Sequence, residues 1–192
     1  GQRFLRGEPA AQGLGREARQ ELPGRVQQPH AANPDDPRGI SGHYVQLEYA
    51  NRNPSLVRRV LGSGVYIEGW AVYTEQTMLD QGYRNGDLAL RLTQLKFYLR
   101  AVTNAILDHK MHCMAMTDDE AMDLLVRRSF QSEGEARLKV IRAKQSSCQL
   151  STYFVGRMAH YRLRQEIQRE LGDRFVLGRY HEAVLQPGSV PV

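Results

Sequence analysis

Two glutamates stand seven residues apart in the mostly apolar stretch GVYIEGWAVYTEQTMLDQGY, which runs from Gly64 to Tyr83. Because seven residues make two turns of an α-helix, Glu68 and Glu75 share one face if this stretch is helical. One carboxylate can then bind a metal ion while the other supports the site from behind. The alternative is a surface ion pair with an arginine such as Arg58, which is the commoner arrangement for an isolated pair of acids.

Other side chains suited to a metal site or an active site are scattered along the chain. His43, in SGHYVQ, is a candidate metal ligand, although a zinc site needs about three protein ligands. Asp108 and His112 stand at i and i+4 in DHKMH, so they share a helix face as ligands, as substrate contacts or as an ordinary helical pair. Tyr153 and His181 can donate hydrogen bonds to an oxyanion. On their own, both are more simply explained as core or surface residues.

Helices must position these side chains, and the sequence from Gly42 onward has helical patterns. Apolar residues recur at three-to-four spacing, Asn53 followed by proline interrupts the first helix, and Gly82 ends the helix that carries the glutamates. Thr117 and Glu120 form the sequence signature of a capping box. No stretch alternates as a strand does, so the predicted fold class is all-α. The helical segments are HYVQLEYANR, SLVRRVLGSGVYIEGWAVYTEQTMLDQGY, DLALRLTQLKFYLRAVTNAILDHKMHCM, TDDEAMDLLVRRSF, SEGEARLKVIRAKQ and LSTYFVGRMAHYRLRQEIQRELGDRF.

Residues 1–41 differ in composition from the rest of the chain. They hold five of the eight prolines and six glycines, and they show neither helical nor strand periodicity. Composition of this kind is typical of irregular or disordered chain. We therefore divide the sequence into an irregular region, residues 1–41, and a helical region, residues 42–192.

Length and composition are those of an ordinary globular domain. The chain has 192 residues, of which 41% are hydrophobic and 24% are charged, and this is enough to bury a core. No run approaches the ~20 apolar residues of a membrane span, and no signal-peptide core is expected at the N-terminus. Two cysteines form at most one disulfide, so they exclude a disulfide framework.

The formal net charge of +5 raises the question of nucleic-acid binding. Basic and acidic residues nevertheless alternate along segments such as RQEIQRELGDR. A solvated helix surface explains that alternation better than a nucleic-acid interface, which would concentrate its basic residues. Nucleic-acid binding is therefore not expected.

Several segments together resemble a known family, the bacterial domain of unknown function family 885, whose members look like zincin-type metallopeptidases. The matching segments follow the family's order and cover residues 42–192, the C-terminal portion of the family's domain. The helix Glu-Gly-Trp-Ala-x-Tyr-x-Glu is the most specific of them. The matching segments are GHYVQLEYANR, IEGWAVYTEQTMLDQGY, RAVTNAILDHKMH, TDDEAMDLL, QLSTYFVG and RYHEAVLQPGSVP.

The resemblance implies a mostly helical, zincin-like fold with a zinc site. It matches His43 to the last histidine of the family's His-Glu-x-x-Pro-Gly-His motif and Glu68 to the downstream glutamate that binds the metal. Glu75 would support the site from behind, and peptides would be the substrates of intact members. The resemblance further implies that zinc polarises the scissile carbonyl and activates water, while His181 or Tyr153 steadies the oxyanion.

The resemblance also bears on substrate contacts and on location. Asp108 and His112 fall on positions that match the family, and we expect them to contact substrate. Members of the family are often exported, whereas no signal peptide is expected in this chain, so its compartment is left open. The sequence leaves its oligomeric state open as well.

The chain departs from the family's metal motif at two positions. Where the family has His-Glu-x-x-Pro-Gly-His, the sequence has PRGISGH, so Pro37 and Arg38 replace the first histidine and the general base. Proline offers no ligand atom and arginine stays cationic, so neither can take the original role. The predicted function is therefore a fragment of a zinc-dependent peptidase or hydrolase that is itself inactive, with zinc expected in intact members. The alternative is a non-catalytic helical interaction module.

A shift of the reading frame offers a cause for this departure. Codons for Pro-Arg-Gly-Ile-Ser can be chosen so that, read one base later, they encode His-Glu-Ala-Tyr-Pro, the missing part of the motif. One lost G before the His43 codon would restore the frame from Gly42 onward. The hypothesis is that residues 1–41 are translated out of frame and joined to an authentic family segment. A genuine but divergent N-terminus is the rival explanation.

Overall fold

The structure is a computed structural model that describes residues 38–192, apart from the side chain of Ile40. Its α-helices are α1 Val45–Arg52, α2 Leu56–Val60, α3 Gly64–Asp80, α4 Leu88–Cys113, α5 Asp118–Asp123, α6 Glu133–Gln145, α7 Thr152–Leu171 and α8 Leu177–Leu185. A π-helical segment, Arg38–Tyr44, precedes α1, and a second, Leu124–Arg128, follows α5. No strand forms between residues 38 and 192, so the predicted all-α class is confirmed there.

The predicted irregular region lies almost entirely outside the described residues. Residues 1–37 are not among them, so the predictions of irregular structure and of out-of-frame translation stay predictions. Arg38–Ser41 belong to the first π-helical segment. Among the described helices, none combines the length and the apolar character needed to cross a bilayer.

Polar caps determine where three of the helices begin. Thr117 and Glu120 form the predicted capping box at α5, where the Glu120 N–H donates to Thr117 Oγ1 at 3.3 Å and the Thr117 N–H donates to the Glu120 carboxylate at 2.8 Å. Ser132 and Glu135 form a second capping box at α6. Asp87 caps α4, and its Oδ1 accepts hydrogen bonds from the Ala89 and Leu90 N–H groups at 2.8 and 3.2 Å. Each cap satisfies N–H groups that the helix itself leaves unpaired.

The periodic stretch from Ser55 to Tyr83, predicted as one continuous helical pattern, forms two helices. Leu61 is extended at the end of α2, and Ser63 begins α3 by accepting a hydrogen bond from the Tyr66 N–H at 3.3 Å. The sequence Gly-Ser-Gly favours this break, because glycine is a poor helix former and serine is a good N-cap. After α3, Gly82 has a φ of 85°, in the left-handed region where glycine commonly ends a helix.

α3 and α7 cross through two glycines in close contact. A Cβ on Gly156 would lie 2.7 Å from the Gly69 Cα and still closer to the Val65 carbonyl oxygen. Only glycine leaves room for the two backbones to approach this far. One turn further along α7, His160 is fully buried, and its Nε2 lies 3.1 Å from the Tyr66 carbonyl oxygen.

The apolar core has two parts, one beside α3 and one beside the C-terminal half of α4. In the first part Trp70 and Tyr73 of α3 pack against Leu185 of α8. The second part joins α4, α5, the second π-helical segment and α6. Its buried members are Leu107, Ala121, Leu125, Ala136, Val140, Ala143 and Leu150. α3 is thus held by α8 on one side and by α7 on another.

Candidate functional site

The first π-helical segment packs closely against α3. A Cβ on Gly42 would come within 3.2 Å of both the Ala71 Cα and the Thr74 Oγ1, so the contact depends on a residue without a side chain. The Trp70 indole N–H donates a hydrogen bond to the Ser41 carbonyl oxygen at 3.2 Å. This packing brings polar side chains of the segment onto the face of α3 that carries the two glutamates.

Four side chains meet on that face, and we call them the Arg38 cluster: Arg38, His43, Glu68 and Glu75. Arg38 Nη2 lies 3.3 Å from Glu68 Oε2, and Arg38 Nη1 lies 3.5 Å from Glu75 Oε1, so the guanidinium bridges the two carboxylates. His43 Nε2 lies 3.7 Å from Glu68 Oε2. The Glu75 side chain is only 10% exposed, against 25% for Glu68 and Arg38. Glu68 and Glu75 therefore share one face of the helix, as their spacing predicts.

A zinc ion does not fit the Arg38 cluster as its residues stand. The 3.7 Å between His43 Nε2 and Glu68 Oε2 would suit two ligands that each lie about 2.1 Å from one metal ion. Arg38, however, places a permanent positive charge against both carboxylates. Across residues 38–192, no group of three or more histidine, cysteine, aspartate or glutamate side chains is arranged to hold a metal ion. The cluster is an ion-pair site in this chain.

Tyr153, near the start of α7, lies beside the Arg38 cluster. The Arg38 Cζ stands 5.6 Å from the centre of the Tyr153 ring, within the range of a cation–π contact. The Tyr153 hydroxyl accepts a hydrogen bond from the Gln149 side-chain amide at 3.2 Å. The structure thus brings four of the predicted site residues together around Arg38, namely His43, Glu68, Glu75 and Tyr153.

His181 lies on a different face of α3 from the cluster. Its Nε2 is 2.8 Å from the Tyr73 hydroxyl oxygen, and its ring packs edge-on against Trp70 with 5.3 Å between ring centres. Trp70 and Tyr73 follow Glu68 by two and five residues, so they project about 160° and 140° away from it around the helix. His181 instead lines a cavity of about 290 Å³ between α1, α3 and α8, together with Trp70 and Leu185.

The half-buried position of His181 makes the stability of the fold depend on pH. Burial is the largest cause, Arg164 and His160 add to it, and together they lower the pKa of His181 from 6.5 to about 4. Because the unfolded chain then binds a proton more readily, stability is full above about pH 6.5 and falls as the pH drops towards 4. In wild-type protein the free energy of unfolding therefore decreases from neutral to acid pH. We expect this decrease to be smaller by about 1–2 kcal/mol in His181→Gln, after allowance for partial solvent screening. Urea unfolding at neutral and at acid pH measures it.

A matched substitution separates this effect from a general one. His109→Gln, at an exposed position of α4, should leave the acid loss of stability unchanged. His160, whose pKa burial also lowers, is present in every variant, so some loss should remain after His181→Gln. Identical acid losses in the wild-type chain and in His181→Gln would show that His181 does not carry the effect.

Asp108 and His112 lie beside the second part of the core. The buried Asp108 carboxylate accepts hydrogen bonds from the Cys148 N–H at 3.2 Å, the Ser151 N–H at 3.0 Å and the Ser151 hydroxyl at 2.7 Å. His112 Nε2 lies 3.4 Å from Asp108 Oδ1 and 3.0 Å from the Ala143 carbonyl oxygen. The two side chains form the i, i+4 pair that the sequence indicates, and Asp108 holds the turn before α7. Their contact with substrate stays a prediction.

Removal of the Asp108 carboxylate should cost considerable stability. Asp108→Ala leaves two backbone N–H groups and one hydroxyl of the turn without their acceptor, so we expect a loss of about 3 kcal/mol in the free energy of unfolding. Asp119→Ala, at an exposed position of α5, is the matched control and should cost less than about 1 kcal/mol. Chemical denaturation compares the two, and equal losses would refute this role of Asp108.

Two residues of these arrangements were not predicted as members of a site. The sequence marks Arg38 only as a lost general base, although its charge, opposite to that of two nearby acids, is a signal that could have identified it as their partner. Tyr73 holds His181 by a hydrogen bond. Its spacing in the sequence does not distinguish it from an ordinary core tyrosine.

Known bacterial proteins resemble this chain in sequence and in structure. The family described as bacterial protein of unknown function, DUF885, matches residues 38–192. A Shewanella oneidensis protein with the description "putative lipoprotein of unknown function" is 42% identical with a TM-score of 0.76, over 79% of this chain and 28% of that protein. A "putative lipoprotein" from Colwellia psychrerythraea is 27% identical with a TM-score of 0.75, over 78% of this chain and 26% of that protein. Curated proteins gave no match.

The chain therefore spans less than a third of the length of these two solved relatives. The family match begins at Arg38 and runs to the last residue, so it includes the Arg38 cluster and the eight α-helices described above. A match over most of the chain establishes the family. The chain belongs to DUF885, a family of bacterial proteins of unknown function.

Proposed function

We propose that intact members of this family are zinc-dependent hydrolases that act on peptides, and that this chain is not itself an active hydrolase. The observation that carries the proposal is the position of Arg38, whose guanidinium bridges Glu68 and Glu75 beside His43. Histidine and glutamate are zinc ligands, and their convergence on one face of α3 supports a metal site in members that lack the arginine. The zincin-like fold of the intact domain is part of the same proposal.

The charge of Arg38 explains why this chain would not hold the metal ion. Near a protein surface two unit charges 4 Å apart interact with about 4 kcal/mol, and a divalent ion doubles that value. The guanidinium would have to leave both carboxylates before a zinc ion could bind to them. In addition, Pro37 stands where the motif has a ligand, and position 38 carries no carboxylate to take a proton from water.

The reading-frame hypothesis gives this inactivity a cause. Resequencing of the coding DNA from Pro37 to Gly42 tests it directly. An additional G before the His43 codon would restore His-Glu-Ala-Tyr-Pro-Gly-His, and the natural protein would then carry the whole motif. An unchanged DNA sequence would rule the hypothesis out and leave a genuine chain without its general base.

The descriptions of the two solved relatives bear on location. Because both are described as lipoproteins, we propose that full-length family members are exported and held at a membrane by a lipid. Growth of Shewanella oneidensis with a labelled fatty acid should label the full-length relative. A relative without label would contradict this part of the proposal.

A hydrolysis assay on matched proteins tests the proposed function. The full-length Shewanella oneidensis relative should cleave members of a mixed library of quenched fluorescent peptides, and a zinc chelator should abolish the cleavage until zinc is added back. The purified 192-residue chain should cleave none of them under the same conditions. A relative without zinc-dependent cleavage would refute the function proposed for the family. Cleavage by this chain would refute its inactivity.

A non-catalytic helical interaction module is the second candidate, and exposed apolar side chains favour it. On and beside α2, Leu56, Val57, Val60 and Leu61 are each between 64% and 70% exposed. Neighbouring apolar side chains at this exposure commonly mark a surface that another polypeptide covers. The covering polypeptide is either a separate partner or the rest of a full-length family chain.

A further inference from the structure

α4 carries a regular apolar stripe along its outer side. Its members alternate in spacing between four and three residues, which is the spacing of the a and d positions of a coiled-coil heptad. We call this stripe the α4 seam, and it consists of Leu88, Leu92, Leu95, Leu99, Val102 and Ile106. The first three side chains are 83%, 69% and 51% exposed, and Ile106 is 39% exposed. An apolar surface this regular has the form of one half of a helix pair.

The other side of α4 is already packed, so the seam is the side that remains for a partner. Gln94, Ala101, Asn104, Leu107 and Asp108 are buried on that side, and Leu107 belongs to the second part of the core. Thr103, at the edge of the seam, is buried as well. α4 contacts α3, α6 and α7. At 1.5 Å per residue, the seam extends for about 27 Å along a helix whose position is fixed.

The narrow width of the seam favours a second helix, and not a membrane surface, as its binding partner. Around the helix its six members fall within about 40° on either side of one line. A helix that lies in a membrane surface presents a wider apolar face than the narrow a/d stripe of a coiled coil. On α4 the polar residues Arg91 and Lys96 stand beside the stripe, one on each side. A second helix covers such a stripe fully.

The charges beside the seam are positive. From Leu88 to Leu107, the three charged residues of α4 are all basic, namely Arg91, Lys96 and Arg100. Arg100 lies away from the seam and pairs with Glu135 of α6 at 2.8 Å. Arg91 and Lys96 occupy the g and e positions that flank the seam, and Arg91 also pairs with Asp80 at 2.8 Å. A second copy of the chain would place the same positive charges against each other. A partner helix with acidic flanks is complementary.

We propose that the α4 seam binds an amphipathic helix with leucine-like residues along its own seam and glutamate or aspartate beside it. In full-length family members this helix comes from the part of the polypeptide that lies outside the present match. The solved relatives are long enough to supply it, because the match covers only 28% and 26% of their chains. The seam is then part of a helix–helix contact inside the full-length fold of the family. This proposal does not depend on the metal chemistry proposed above.

Peptide binding to the 192-residue chain tests this proposal. The probe is a fluorescein-labelled helix of three heptads with leucine at a and d and glutamate at e and g, and a matched peptide has lysine at e and g. In fluorescence anisotropy the acidic peptide should bind at least tenfold more tightly than the basic one. Leu92→Glu combined with Leu95→Glu should weaken its binding at least tenfold. Leu138→Glu combined with Ile141→Glu, at exposed positions of α6, should leave its binding unchanged, and circular dichroism verifies that both variants fold.

The full-length Shewanella oneidensis relative identifies the source of the helix. If its own chain covers the seam, it should bind the acidic peptide at least tenfold more weakly than the 192-residue chain does. Equal binding by both proteins would show that the seam is exposed in the relative too. It would refute the proposal that the relative's own chain covers the seam. Three other results would refute an acidic amphipathic helix as the partner of the seam. They are no peptide binding, seam-dependent dimers in sedimentation, and seam-dependent binding to vesicles of phosphatidylglycerol and phosphatidylcholine.

Discussion

Gly156→Ala should destabilise the fold by about 3 kcal/mol or more in the free energy of unfolding, at the upper end of what overpacking costs. The new Cβ would lie 2.7 Å from the Gly69 Cα and closer still to the Val65 carbonyl oxygen. Both are backbone atoms of α3, so no side-chain rotation can relieve the clash. The two helices would have to separate, which would open the packing around His160. Urea unfolding followed by circular dichroism measures the loss.

Two other helical glycines provide the control. A Cβ on Gly134 or Gly178 would meet no atom within 4 Å, so alanine fits without strain. Because alanine is the better helix former, Gly134→Ala in α6 should stabilise the protein by up to about 1 kcal/mol. If Gly156→Ala behaves like Gly134→Ala, the close crossing of α3 and α7 is not a feature of the protein in solution.

This crossing also sets the geometry of the Arg38 cluster. α3 carries Glu68 and Glu75, whereas α7 carries Tyr153, whose ring lies against Arg38. A separation of the two helices would therefore move Tyr153 away from the carboxylates. The two glycines thus position the candidate site as well as stabilising the fold.

Arg38→Ala should convert the cluster into a zinc-binding site. In the wild-type chain the guanidinium lies against both carboxylates, and its removal leaves His43, Glu68 and Glu75 facing one another. We expect zinc to bind Arg38→Ala about 100-fold more tightly than the wild-type chain, which corresponds to about 2.7 kcal/mol. Arg38→Lys keeps a positive charge at this position and should bind zinc as weakly as the wild-type chain. Isothermal titration calorimetry measures all three affinities.

The same substitution has a predicted effect on stability. Without zinc, Arg38→Ala should unfold more easily by about 1–3 kcal/mol, because two carboxylates then face each other and the Glu75 side chain is 10% exposed. Zinc should restore much of this loss, since a ligand that binds only the folded state stabilises it. A zinc-dependent rise in the melting temperature of the wild-type chain equal to that of Arg38→Ala would rule out Arg38 as the obstacle.

Local patterns in the sequence predict several features correctly, because local physics decides them. Helical spacing predicts an all-α fold, and Thr117 with Glu120 predicts a capping box that the structure contains. The seven-residue spacing places Glu68 and Glu75 on one face of α3, where they meet Arg38. In each case the deciding residues lie within two helical turns of each other.

Contacts between distant segments are not readable in the same way. His181 and Tyr73 are more than a hundred residues apart, and only the packing of α8 on α3 brings them together. The apolar period of α4 indicates a helix but not which side of it packs, so the exposure of the seam becomes visible only in the structure. The apolar spacing continues through the Gly-Ser-Gly turn, so it does not predict the break at Ser63.

The cation at Glu68 and Glu75, arginine or zinc, decides whether this chain can hold the metal ion of the proposed hydrolase. An anomalous-scattering map at the zinc edge, from crystals of the wild-type chain and of Arg38→Ala grown with the same zinc, tests it most directly. We expect a peak within bonding distance of His43 Nε2 and Glu68 Oε2 in Arg38→Ala and no peak there in the wild-type chain. A wild-type peak at that position, with Arg38 turned away from the glutamates, would contradict it.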